Sequence, residues 1–245
     1  MTRTRVTGDF GVANVAAMHV RPDALVDGAT AAHRCVVATL EHDDWDPRAP
    51  SLLPAWSIGH VVTHIARNAD AIRGLYEAAE RGEVGDMYPG GREQRAADIE
   101  TGASRARDEL IDDVRSACAA LEAAWQSTSD ATWSTGVGRS LVAPLELSEW
   151  PYPRWRETEV HHVDLGLSFT VDDWSDGFVR REWRNCVASL AERLGGRGCV
   201  LTPHDCEPAE IAGGGPAVRG AQRELLGWML SRATIEGAPA LEPWG

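Results

Sequence analysis

The chain has 245 residues, enough for one large domain or two small ones, and 43% hydrophobic against 25% charged residues is the balance of a protein that buries a real core. A formal charge of −13 excludes the clustered basic surface that grips a phosphate backbone, and makes an anionic membrane an equally poor partner. No apolar run approaches the ~18 residues that cross a bilayer. The five scattered cysteines, odd in number and without a CxxC pair, fit reduced thiols in the cytoplasm rather than a disulfide framework.

Residues 1–20 hold Arg3, Arg5 and Asp9 but no continuous apolar stretch. They read as a loose tail and not a signal peptide, with Met18 an alternative start. A first helix is predicted over 22–42, with Pro22 in its opening turn and Leu25, Ala29, Ala32, Val36 and Leu40 on one stripe. A second follows the candidate N-cap Ser57 and runs to about Glu80. The loop Met87-Tyr88-Pro89-Gly90-Gly91 follows, because Pro-Gly-Gly cannot continue a helix. A long third helix is predicted over 95–126, where Leu110, Val114, Cys118, Leu121 and Trp125 keep the spacing of a bundle seam. The fourth gathers after Pro153 and runs to Leu165.

From about Gly166 the pattern changes. A helix over 176–194 ends at Gly195-Gly196, short strands are expected at 199–202 and near Ile211, and a last helix over 219–231 carries Leu225, Leu226, Trp228 and Met229. The expected organisation is a tail (1–20), a four-helix bundle (21–165) and a small α+β domain (166–245). Gly213-Gly214-Gly215 lacks the Lys-Ser/Thr of a phosphate cradle and reads as a loop. Cys199, His204 and Cys206 lack a fourth metal ligand and read as a strand and its turn.

Two helical segments carry chemistry. In the fourth, Glu157 and His161 are four apart, so both side chains can converge on one ion, and Asp164 one turn on could orient a ligating imidazole. In the second, His60, His64 and Asn68 share a face, and either histidine could turn inward. Two imidazoles and a carboxylate leave a coordination position open, the mark of a catalytic site, with zinc the first choice for the donor set. His162 lies ~100° around the helix from His161 and points elsewhere. Arg67, Arg154 and Arg156 are candidates to meet anionic or polar groups of a ligand, but solvent is the expected surrounding of each. None of the five cysteines falls near the ligand stripes.

These residues carry a resemblance. The run from Leu53 to His64, the Met87-Tyr88-Pro89-Gly90 loop, and the segment Arg154-Trp155-Arg156-Glu157 through His161, Asp164 and Gly166 resemble mycothiol-dependent maleylpyruvate isomerase, a family of the DinB-like metalloproteins. The resemblance extends over nearly the whole chain after Met18. It implies a mainly α fold, a DinB-like four-helix bundle followed by a small α+β C-terminal domain. It places the metal ligands on His64, Glu157 and His161, and a functional arginine on Arg232, where the family's usual Gly-Arg is Ser231-Arg232 here. It implies mycothiol as the thiol cofactor and a small dicarboxylate as substrate. Metal-activated thiolate addition to maleylpyruvate, rotation and elimination then give fumarylpyruvate, with Arg232 meeting a carboxylate or the developing enolate. The alternatives are a mycothiol S-transferase using the same site and a non-catalytic metal-binding member. A monomer is the simplest expected state.

Overall fold

The computed structural model describes residues 21–242. The expected tail over 1–20, Met18 included, lies outside the described residues.

After Pro22, α1 (Asp23–His42) buries Val26, Ala29, Ala32, Val36 and Leu40, so one apolar stripe explains both its existence and its orientation. The expected cap is present on α2 (Ile58–Glu80): Ser57 Oγ accepts the His60 N–H at 3.4 Å, while His60 Nδ1 accepts from the Ser57 hydroxyl at 2.7 Å and from its N–H at 3.2 Å.

The single helix expected over 95–126 is two helices, α3 (Gly91–Ala103) and α4 (Arg107–Ser127). Arg105 Nε donates to the Gly102 carbonyl at 3.0 Å and closes α3, and the Glu109 carboxylate takes the Ala106 N–H at 3.0 Å and opens α4. A Cβ on Gly102 would lie 2.4 Å from Thr63 Cγ2, so the end of α3 presses on α2 where only glycine fits. α3 also starts at Gly91 rather than Arg95, which places Arg92 and Arg95 together near its first turn. α4 keeps the expected seam, burying Leu110, Val114, Cys118, Leu121 and Trp125.

A short helix α5 (Asp130–Thr135) leads into a sheet that the sequence did not signal. β1 (Gly85–Asp86) runs parallel to β2 (Val137–Arg139), which pairs antiparallel with β3 (Pro144–Glu146). Strands of two or three residues are too short to display an alternating pattern. α6 (Pro151–Asp164) starts earlier than expected, with Pro151 and Pro153 in a first turn that has no helical partners for their missing N–H groups.

The bundle is α1, α2, α4 and α6: α2 packs on α4 and α6, and α1 packs on the same two from the other side. A Cβ on Gly28 of α1 would meet the Trp155 ring at 2.6 Å, so this glycine sets how closely α1 approaches α6. The face that α6 turns inward includes the polar stripe Arg154, Thr158 and His162, each four residues apart and each buried. Arg154, expected in solvent, is fully buried. Its Nε donates to His33 Nε2 at 2.8 Å, Nη1 to Ile65 O at 3.0 Å and Asn68 Oδ1 at 2.9 Å, and Nη2 to Cys118 Sγ at 3.4 Å. One guanidinium thereby ties together all four helices of the bundle, an arrangement tolerable only because each of its nitrogens finds a partner.

Gly166, at φ +68°, turns the chain out of α6. The C-terminal part comprises α7 (Asp176–Arg193), β4 (Cys199–Pro203), β5 (Ala209–Ile211), β6 (Ala217–Gly220) and α8 (Gln222–Met229), with sheet order β5-β4-β6. The last helix is shorter than expected because Arg219 and Gly220 pair with Thr202 and Pro203 in the parallel β4/β6 ladder. Trp155 of α6, Phe178 of α7 and Trp174 between them join this part to the bundle, with ring centroids 6.2 and 5.4 Å apart. Among the described residues no helix is long and apolar enough to cross a membrane.

Candidate metal centre

His64 stands on the buried face of α2, 2% exposed, edge-on to Trp56 at 5.7 Å and to His161 at 4.6 Å between centroids. Across the gap, Glu157 and His161 project from successive turns of α6. One oxygen, Glu157 Oε2, lies 3.0 Å from His64 Nε2 and 3.4 Å from His161 Nε2. Donor atoms of the three residues all fall within 4.8 Å of one another, and among the described residues they are the one such His/Cys/Asp/Glu grouping.

The group is held from behind. His161 Nδ1–H donates to Asp164 Oδ2 at 2.8 Å, which fixes the ring's orientation and aims Nε2 at Glu157. Asp164 is itself gripped by the fork of Arg232, Nε to Oδ1 at 2.9 Å and Nη2 to Oδ2 at 2.7 Å, while Arg232 Nη1 donates to Leu230 O at 2.7 Å. The C-terminal part thus reaches the bundle site through Arg232. Ser231 adopts φ +61°, the left-handed conformation that suits glycine, at a cost of ~1 kcal/mol. Arg193 Nη2 donates to Ser231 Oγ at 3.3 Å and steadies it.

Burial, with help from the neighbouring His161 charge, brings His64 down to about 4, so its imidazole is neutral near pH 7. Burial acts the same way on His161, but the Asp164 and Glu157 carboxylates outweigh it and raise that ring to about 9. Burial favours a protonated Glu157, yet hydrogen bonds from His161 and His64 hold it well below the usual carboxylate range. Asp164 is lowered too, His161 and Arg232 overcoming its burial.

The other candidates are diverted. His60 caps α2 and reaches Glu100 at 3.1 Å. His162 stacks on Phe169 at 3.6 Å and meets Thr39 Oγ1 at 2.9 Å, facing away from the group as expected. Arg67 pairs with Asp70 and Asp113, and Arg156 with the buried Glu182. Cys199 lies buried in β4, so Cys199, His204 and Cys206 do not assemble into a second cluster.

A cleft of about 580 Å³ opens at the group, lined by His64, Glu157, Asn68, Trp150, Arg92 and Arg95, with the turn carrying Leu141 and Val142 at its rim. No cysteine lines it, and neither does Arg232. Arg92 and Arg95 are the residues that sequence reasoning missed. Their signal was the pair of arginines three apart just after Pro89-Gly90-Gly91, hidden by placing the helix start too late.

The donors fit a divalent ion. Ligands of a tetrahedral zinc at ~2.0–2.2 Å stand ~3.3–3.5 Å apart, near the separations seen at Glu157 Oε2, and a neutral buried imidazole, a second imidazole oriented by a carboxylate and an ionised Glu are its usual set.

The comparisons bear on the fold and the family. The fold is similar to the crystal structure of a mycothiol-dependent maleylpyruvate isomerase, with a TM-score of 0.79 and 24% identity over 91% of this chain and 97% of that one. A histidine-to-alanine mutant of that isomerase gives a TM-score of 0.80 with the same identity and coverage. A comparison with curated proteins gives no match. Residues 26–166, the bundle from α1 to the glycine that ends α6, match the model of the mycothiol maleylpyruvate isomerase N-terminal domain. That match spans more than half of the sequence, and on it the chain belongs to the mycothiol maleylpyruvate isomerase family.

Proposed function

We propose that the chain isomerises maleylpyruvate to fumarylpyruvate with mycothiol as its thiol, at a divalent metal held by His64, Glu157 and His161. The observation that carries this reading is the convergence of three donors, two of them (His64 and Glu157) lining an open cleft, in a chain of this family. When bound, a divalent ion, zinc by its donor set, lowers the pKa of the mycothiol thiol, whose addition makes the double bond single and whose elimination after rotation leaves the trans isomer.

The protein's own residues prepare that site. Burial keeps His64 neutral, with Nε2 turned to Glu157 and Nδ1 to Arg95 Nη2. Asp164 holds the His161 ring's orientation, and Arg232 holds Asp164, so this arginine acts as a positioning residue behind the ligands, with its fork engaged at 2.7 and 2.9 Å. Trp150 and the turn at Leu141 and Val142 narrow the cleft, which restricts water around a reacting centre. Burial raises the Cys118 thiol, which sits against Arg154 in the bundle interior, so it supplies no competing thiolate.

The test is incubation of the metal-loaded protein with maleylpyruvate, with and without mycothiol, followed at the enol absorbance. Turnover is expected only with mycothiol, is abolished by a chelator and returns with added metal. Turnover without mycothiol, or none with it, overturns the reading, and a stable thiol adduct in place of fumarylpyruvate assigns the chain to S-transfer.

A further inference from the structure

Resting on that reading and deepening it, we propose that Arg95, seconded by Arg92, is the site in the cleft that receives a carboxylate of the substrate. The arginines near the centre are otherwise committed. Arg67 and Arg105 share Asp113, Arg156 pairs with Glu182, Arg139 with Asp86, and Arg232 with Asp164. Arg154 is sealed inside the bundle. Arg92 and Arg95 differ on both counts: they line the cleft, and among the described residues neither forms an ion pair with a carboxylate.

Arg95 is nevertheless placed. Its guanidinium lies over the Tyr88 ring, 5.6 Å from the centroid, and its Nη2 stands 3.1 Å from His64 Nδ1. The Tyr88 face orients a planar cation without consuming its N–H donors. In a chain of net charge −13, a cation oriented by an aromatic face and left without a carboxylate, beside the metal-ligand group, matches an anionic ligand that arrives there. Arg92 is three residues away on α3, exposed, and lines the same cleft, so it adds positive charge at the entrance. The chemical class is a short carboxylate anion, with the planar fork favouring a bidentate fit. Cleft-facing cations make the chain selective for a carboxylate substrate over a neutral enone, because removing the substrate charge leaves Arg95 unanswered.

Binding of maleate to the metal-loaded protein, followed by titration calorimetry at low and high salt, tests this without turnover. Wild type is expected to bind with an affinity that falls as salt rises. Arg95→Ala is expected to weaken binding about ten- to hundred-fold at unchanged metal content, Arg95→Lys to recover only part, and Arg92→Ala to lose less. Equal affinity in wild type and Arg95→Ala, or no maleate binding by wild type, overturns the assignment. Maleylpyruvate kinetics on the same variants separate this inference from the isomerase reading. A raised KM in Arg95→Ala supports both. Maleate binding lost in Arg95→Ala, in a protein whose wild type turns over no maleylpyruvate, keeps the carboxylate site and removes the isomerase. Unchanged KM in an active enzyme removes the site alone.

Discussion

Arg154 and Glu157 stand one turn apart on α6 and head two polar clusters of opposite construction. Around Arg154 every guanidinium nitrogen has a partner, and the acceptors come from α1, α2 and α4. Around Glu157 the side chain remains 32% exposed, one oxygen is shared between two imidazoles, and the front opens on the cleft. The first cluster is closed and its polarity holds helices together. The second is held from behind by Asp164 and Arg232, with Arg95 on His64 from the cleft side, so its donors keep their spacing while a side remains available to a ligand. Stability and function are thereby separated within one helix: the closed knot fixes where α6 lies, and the open group uses that placement.

The largest expected effect breaks the closed cluster. Arg154→Ala leaves His33 and Asn68 unanswered inside the bundle and opens a cavity, and is expected to lower unfolding stability by about 3–5 kcal/mol. Urea denaturation measures it, and a loss under ~1 kcal/mol would show that the knot is dispensable. Next in size is the support of the open cluster. Asp164→Ala removes the acceptor that orients His161 and is expected to weaken metal affinity about 10–100-fold, read by chelator competition, while the far-ultraviolet dichroism stays native. Unchanged affinity would mean that the ligands need no support from behind.

A pH series sharpens the contrast. Burial, and then the nearby Arg154 charge, bring His33 from its ordinary 6.5 down to about 4, and its Nε2 is occupied by the Arg154 donor. The unfolded chain takes up a proton near 6.5 that the folded chain refuses until about 4. Stability is therefore lost as pH falls through that window, by no more than ~1.4 kcal/mol per pH unit from this group. His33→Gln, which keeps an acceptor but cannot titrate, should show a shallower acid limb in Tm against pH than wild type. Parallel limbs would remove His33 from the account.

The open cluster was the more legible of the two. Glu157 and His161 announce themselves by one-turn spacing, because helix geometry alone puts i and i+4 side by side. Arg154, Thr158 and His162 have that same spacing and were unreadable as a core stripe, since hydrophobic periodicity registers apolar residues and a buried polar stripe is recognisable only with its partners on other helices. The break between α3 and α4 had a local signal, the glycine and serine at 102 and 104 followed by Asp108-Glu109, outweighed by the apolar seam that begins at Leu110. Missing it, and starting the helix at Arg95, also hid the cleft-facing arginines. The contact between Arg232 and Asp164 joins residues 68 apart and depends on how the C-terminal part docks, which no spacing rule reaches.

The smallest expected effect concerns the histidine that spacing alone cannot separate from His64. His60 sits one turn earlier on the same helix, and in sequence either could face the group. What decides is position within α2. His60 falls in the first turn, where unpaired backbone groups draw side chains back, and its Nδ1 accepts from Ser57 at 2.7 and 3.2 Å while Nε2 points to the exposed Glu100. His64 is past that turn, its backbone satisfied, and its ring is free to face α6. His60→Ala should therefore remove a cap contact and an exposed ion pair, lowering stability by about 0.5–1 kcal/mol, with metal content unchanged. His64→Ala should do the reverse, emptying the site in a chain that still folds. Metal analysis of the two variants side by side decides between them. An emptied site in His60→Ala with metal retained in His64→Ala would put the ligand set one turn out of place, and the contrast between closed and open clusters would lose its open member.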